Sequence, residues 1–129
     1  MKKVLGMLLM VSTVSMSLYA YDQTDRIKDM QEMEVSMAQI QKGILYNNQK
    51  LVLDGVAKLK KASVSVEIAP KEAMEFSERF AKRQSQNIMK YADKIRENIE
   101  ANHKHGAATN YANVLRECIS CHNKIRKWH

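Results

Sequence analysis

The sequence predicts an all-α chain folded as an antiparallel four-helix bundle, and three observations carry that prediction. Breakers are scarce, with four Gly and one Pro in 129 residues. Ala, Leu, Met, Gln, Glu and Lys dominate, and these lose little side-chain freedom in a helix. Finally, apolar residues recur at steps of three and four in four stretches separated by short polar breaks, so each stretch draws one apolar stripe on a helix. Four such helices with short connections bury their stripes most simply as an up-and-down bundle.

The elements follow in order. Residues 22 to 45 place Ile27, Met30, Met33, Met37, Ile40 and Ile44 on one face, with Asp22 or Thr24 able to cap the start. Tyr46-Asn47-Asn48 reads as a turn, and a second helix over about 48 to 62 turns Leu51, Val52, Val56 and Leu59 inward. Residues 63 to 69 alternate with period two, as a strand would, but no partner strand exists; they are expected to form an extended loop ending at Pro70. Proline suits the first turn of the third helix, whose stripe of Ala73, Phe76, Phe80, Gln84, Ile88, Tyr91, Ile95 and Ile99 runs to about residue 101. After a break at 102 to 106, the fourth helix takes residues 107 to 128, with Tyr111, Val114, Leu115, Cys118, Cys121, His122, Ile125 and Trp128 on one broad face.

The first twenty residues are different in kind. Lys2 and Lys3 precede an apolar run from Val4 to Leu18, and Leu18-Tyr19-Ala20 leads into polar Tyr21-Asp22-Gln23. This pattern predicts a secretory signal peptide over residues 1 to 20, a periplasmic location and a single domain over 21 to 129. A retained anchor is the competing reading, but Ser12, Thr13, Ser15 and Ser17 interrupt the run and leave it short of a span, so no stable membrane insertion is expected after cleavage. Removing the segment deletes two lysines and no acid, which lowers the formal charge from +7 to +5. Basic residues are interspersed with acids along the helices and lack aromatic interleaving, which argues against nucleic acid. A modest positive field suits an acidic redox partner, in the periplasm or at the membrane.

Both cysteines fall in one unit, Cys118-Ile119-Ser120-Cys121-His122. Covalent haem attachment needs two thiols near the two vinyl groups of one porphyrin and an imidazole able to reach its iron. On a helix, Cys118 and His122 are four residues apart and Cys121 adjoins His122, so all three share a face. The expected cofactor is therefore one covalent haem c. Three other readings are weaker: thiol-disulfide exchange prefers a helix N-terminus after a strand, zinc needs further ligands from among His103, His105 and His129, and a disulfide over so short a loop adds little. His103 and His105 are expected to be exposed in the polar break. Tyr111 and Trp128 are expected to pack against porphyrin or core. No paired carboxylates, nucleophile with base or phosphate-binding loop appears, so no enzyme is expected.

With this motif, the sequence resembles the class II c-type cytochromes, the cytochrome c-prime group and its low-spin relatives. That family carries its haem motif near the C-terminus of a four-helix bundle, followed by two residues, an aromatic and an arginine. Here Asn123-Lys124-Ile125-Arg126 keeps the arginine and has Ile125 in place of the aromatic. The family also has an arginine early in the first helix with Met or Leu four residues on, the spacing of Arg26 and Met30. The resemblance implies thioether bonds at Cys118 and Cys121, His122 as proximal ligand, and Met30 facing the distal side, with Met33 as second choice and Met37 too far along. It also implies that Arg26 neutralises a propionate and Arg126 screens the proximal pocket. A ligating thioether makes an electron carrier; an open sixth site makes a protein that binds NO or CO. Relatives often pair through their first two helices, and the apolar excess at Val52, Leu53 and Val56 leaves room for a homodimer.

Overall fold

The computed structural model describes residues 22–67 and 78–125. It contains four helices and, among the described residues, no strand: α1 (Gln23–Leu45), α2 (Gln49–Glu67), α3 (Glu78–Glu100) and α4 (Lys104–Ile125). The expected signal peptide, the segment around Pro70 and the tail bearing Arg126 and Trp128 lie outside the described residues.

α1 opens with a capping box. Asp22 accepts from the Asp25 N–H at 2.9 Å, and the Asp25 carboxylate accepts from the Asp22 N–H at 3.2 Å. It closes in a left-handed turn at Asn47 (φ 55°), with Asn48 N–H donating to the Gly43 carbonyl and Asn47 N–H to that of Ile44. The α3–α4 turn repeats this geometry. Asn102 has φ 59°, His103 N–H donates to the Asn98 carbonyl and Asn102 N–H to that of Ile99. The Lys104 ammonium donates to the Asn47 side chain, so the two turns stand together at one end of the bundle.

At this turn end the helices pack tightly. A Cβ on Gly55 would lie 2.8 Å from Ile40 Cγ1 and 3.2 Å from the Ser36 carbonyl oxygen, and one on Gly43 would lie 2.6 Å from Val52 Cγ2. These glycines let α1 and α2 come together over Ile40 and Val52, both fully buried. Leu59, Ala92, Ile95, Ile99, Ala107 and Val114 continue the core. α1 packs on α2, α2 on α3 and α3 on α4, and among these neighbouring pairs around the bundle α1 and α4 meet least closely.

Several sequence expectations need correction. Residues 63–67 are helical, because Ala62, Ser63 and Val66 extend the Val56–Leu59 stripe at helical spacing and leave Val64 exposed. Ser63 is fully buried and returns its hydroxyl to the Leu59 carbonyl at 2.8 Å. α4 starts at Lys104, three residues early, since His103 accepts the Ala107 N–H and Gly106 tucks its first turn against Asn98. Ile27 is 50% exposed and Leu115 46% exposed, so neither joins the closed core. Val52 and Val56 are buried inside the bundle, and Leu53 packs partly buried against the same core. His103 and His105 are exposed, as expected.

Candidate functional site

At the end opposite the two turns, the bundle is hollow. A cavity of about 660 Å³ reaches in from the α1–α4 seam. Its size falls in the range of about 300–1,000 Å³ common for small-molecule and cofactor sites. All four helices contribute to its wall. α1 supplies Met30, Met33 and Met37, α2 Ser63 and Val66, α3 Ala81, Gln84, Ser85 and Ile88, and α4 Tyr111, Leu115, Cys118, Cys121 and His122. Exposed Glu34, Ala38, Ile119, His122 and Asn123 form its rim, which places the mouth between α1 and α4.

Helix spacing explains why these residues share one space. Cys118, Cys121 and His122 lie within little more than one turn of α4. The hydroxyl of Tyr111 donates to Gln41 Oε1 at 3.5 Å. Counting outward from that tie along the antiparallel helices brings Met30 level with His122 and Glu34 level with Cys118. Met33 and Met37 are buried, Met30 is half-buried, and all three line the cavity, so the space does not stop short of Met37. Arg26 is half-buried one turn before Met30 and outside the cavity lining. Arg126 belongs to the tail that is not described.

The two cysteines are free and half-buried. Burial pushes the Cys118 thiol up to about 11, and the neighbouring Cys121 and Glu117 push in the same direction. Burial also raises Cys121, with Glu117 adding to it. Tyr111 is raised as well, by burial first and then by Cys118. Thiol-disulfide enzymes lower the pKa of the attacking thiol; this pocket does the reverse. Among the described residues no group of three or more His, Cys, Asp or Glu is placed to hold a metal ion.

One feature of the wall was not singled out by sequence reasoning. Gln84 was placed in the α3 stripe for its spacing, and it is 7% exposed. Its Oε1 is fully buried and accepts no hydrogen bond from any described residue. Beside it, the Ser85 hydroxyl donates to the Ser63 carbonyl, so the inner wall has a polar floor among apolar neighbours.

The donor set fits a haem: two thiols and an imidazole on one helix, thioethers across a gap on another, and a largely apolar lining between them. In comparisons with protein-family models, curated proteins and solved structures, the chain matches none. No described helix is long and apolar enough to cross a membrane.

Proposed function

We propose that this chain is a periplasmic monohaem c-type cytochrome that carries electrons, with haem c bonded to Cys118 and Cys121. The observation that carries the reading is the shared cavity: the cysteine pair, His122 and three methionines from the facing helix all line one space of about 660 Å³. The haem would supply one-electron iron chemistry.

The protein's own residues have distinct tasks. Cys118 and Cys121 would hold the group through two thioethers, an addition of S–H across a vinyl double bond that would consume no oxidant. His122 offers a ring nitrogen from the α4 side. Met30, level with it on α1, offers a thioether from the other. Val66, Ile88, Leu115 and Ile119 exclude water from the faces and edge of a flat apolar group. By the resemblance to the class II c-type cytochromes, Arg26 would neutralise a propionate, and Arg126, which lies outside the described residues, would screen the proximal pocket. The formal charge of +5 after removal of residues 1–20 favours acidic redox partners in the periplasm or at the membrane.

The raised thiols weigh against a thiol-disulfide oxidoreductase. Three thioethers along the facing wall weigh against an open gas-binding site.

The test is production with haem-attachment machinery in an exporting host. Wild type is expected to gain the mass of one haem, and Cys118→Ala to lose covalent haem. A sulfur-to-iron band in the oxidised spectrum is expected to disappear in Met30→Ala, leaving a high-spin pattern. A colourless protein of unmodified mass would end the proposal, and a high-spin wild type would turn it toward NO or CO binding.

A further inference from the structure

A buried acceptor stands in the inner wall of the cavity. Gln84 is 7% exposed and its Oε1 is fully buried, yet no described residue donates to it. A buried carbonyl-type oxygen left in this way is costly, which makes it unusual unless a partner arrives.

The packing of α3 on α4 locates that partner. Asn87 donates to Glu117 Oε2 at 3.2 Å, and Lys124 lies 4.5 Å from the Phe80 ring centre. Phe80, Gln84 and Asn87 share one stripe of α3, and Glu117, Cys121 and Lys124 share one stripe of α4. Gln84 is the middle member of its stripe and Cys121 the middle member of the other, so Gln84 stands across from Cys121, the residue adjoining His122. Nearby hydroxyls are committed elsewhere: Ser85 donates to the Ser63 carbonyl, Ser63 to Leu59 and Tyr111 to Gln41. Cys121 itself loses its S–H when it forms a thioether. An imidazole that gives one nitrogen to a metal keeps an N–H on the other, and that N–H characteristically finds an acceptor that fixes the ring and raises its basicity.

We infer that Gln84 is the positioning residue for His122: its Oε1 accepts the imidazole N–H that faces away from the metal, orienting the ring and lowering the reduction potential. This rests on the haem reading above. His122 turns inward from the mouth to make the bond, and Gln84 changes from an orphaned acceptor in the haem-free chain to a satisfied one in the holoprotein.

Two substitutions separate this role from simple packing. Gln84→Leu removes the acceptor and is expected to raise the midpoint potential of the purified holoprotein. Gln84→Glu strengthens the acceptor and is expected to lower it. A packing defect would move both variants the same way. Thr109→Ala, at an exposed position of α4 outside the cavity lining, is expected to leave the potential unchanged. Independently, with ¹⁵N-histidine labelling, the His122 ring N–H of the wild-type holoprotein is expected to exchange slowly with solvent, and fast in Gln84→Leu. Should the leucine variant fail to fold, the glutamate shift and the wild-type exchange rate still decide. Potentials that do not move in opposite directions, or a rapidly exchanging wild-type N–H, overturn the inference. Haem content is measured first on every sample, so a wild type without haem counts against the proposed function, whereas normal haem with an unmoved potential counts against Gln84 alone.

Discussion

At the residue scale, the two thiols are the most telling groups. A site for thiol exchange exposes and acidifies its nucleophile, whereas here burial holds Cys118 up at about 11 from an ordinary 9.0. At pH 8 this lowers its thiolate fraction roughly a hundredfold. Alkylation of Cys118 by iodoacetamide in the folded, haem-free protein, followed at that residue by peptide mass, is therefore expected to be about a hundredfold slower than in the same chain in urea, and to accelerate as pH rises toward 11. A rate at pH 8 equal to that of the unfolded chain would contradict the burial. The same scale shows what could be read in advance and what could not. The spacing of Cys118, Cys121 and His122 is a property of one helix, so their shared face was legible from the sequence. Gln84 was legible only as a member of a stripe, because the register between α3 and α4 decides what its carboxamide faces.

Between elements, polar ties and close approaches set how the helices fit. Lys60 of α2 reaches Asp93 of α3 at 2.6 Å, and this bond, helped by Arg96, holds the Asp93 carboxyl below its ordinary value. Both side chains are more than a third exposed, so solvent screens the pair and its contribution is at most about 1 kcal/mol. A carboxyl depressed on folding stabilises above its unfolded pKa, and that stability is lost as pH falls through the folded value. Urea unfolding should show Lys60→Met less stable than wild type at pH 7, with the difference shrinking as pH falls below the ordinary 3.8 and gone once it is below the depressed folded value. Gly55 presents a larger effect of opposite local sign. Alanine would gain about 1 kcal/mol of helix propensity. Its Cβ would sit 2.8 Å from Ile40 Cγ1 and 3.2 Å from the Ser36 carbonyl, and separating α1 from α2 costs about 1–3 kcal/mol. Gly55→Ala is expected to lower the melting temperature; an increase would mean that α1 can shift cheaply. Neither close approach was legible from one chain's periodicity. The helical run through residues 63–67 was also missed, because a Ser-Val alternation satisfies period two as well as a stripe whose inward members are Ala62, Ser63 and Val66. Packing against Ser85 chose the helix.

Over the whole molecule, the bundle divides into a solid half and a hollow half. The turn end has Ile40, Val52, Ile95 and Val114 with essentially no exposed surface, two matching left-handed turns and glycine-mediated contact. The other end has a cavity of about 660 Å³ and the thinner α1–α4 seam. If such a space were closed and dry it would cost roughly 16 kcal/mol at about 24 cal/mol per Å³, more than the total stability of most domains. The cavity is therefore wet or filled, and stability is unevenly distributed along the bundle axis. In the haem-free chain, amide hydrogen exchange should show the strongest protection around Ile40–Ile44, Val52–Leu59 and Ile95–Ile99, with much weaker protection at Met30 and from Cys118 to His122, where the helices open without unfolding the rest. Under the proposed function, covalent haem would raise protection chiefly in that second set, because it would tie α4 to the facing wall of α1. Equal protection at both ends of the haem-free bundle would show that the hollow half is held by contacts other than those of its own lining, and a holoprotein whose protection rises evenly would show that the cofactor stabilises the bundle as one unit instead of closing its open end.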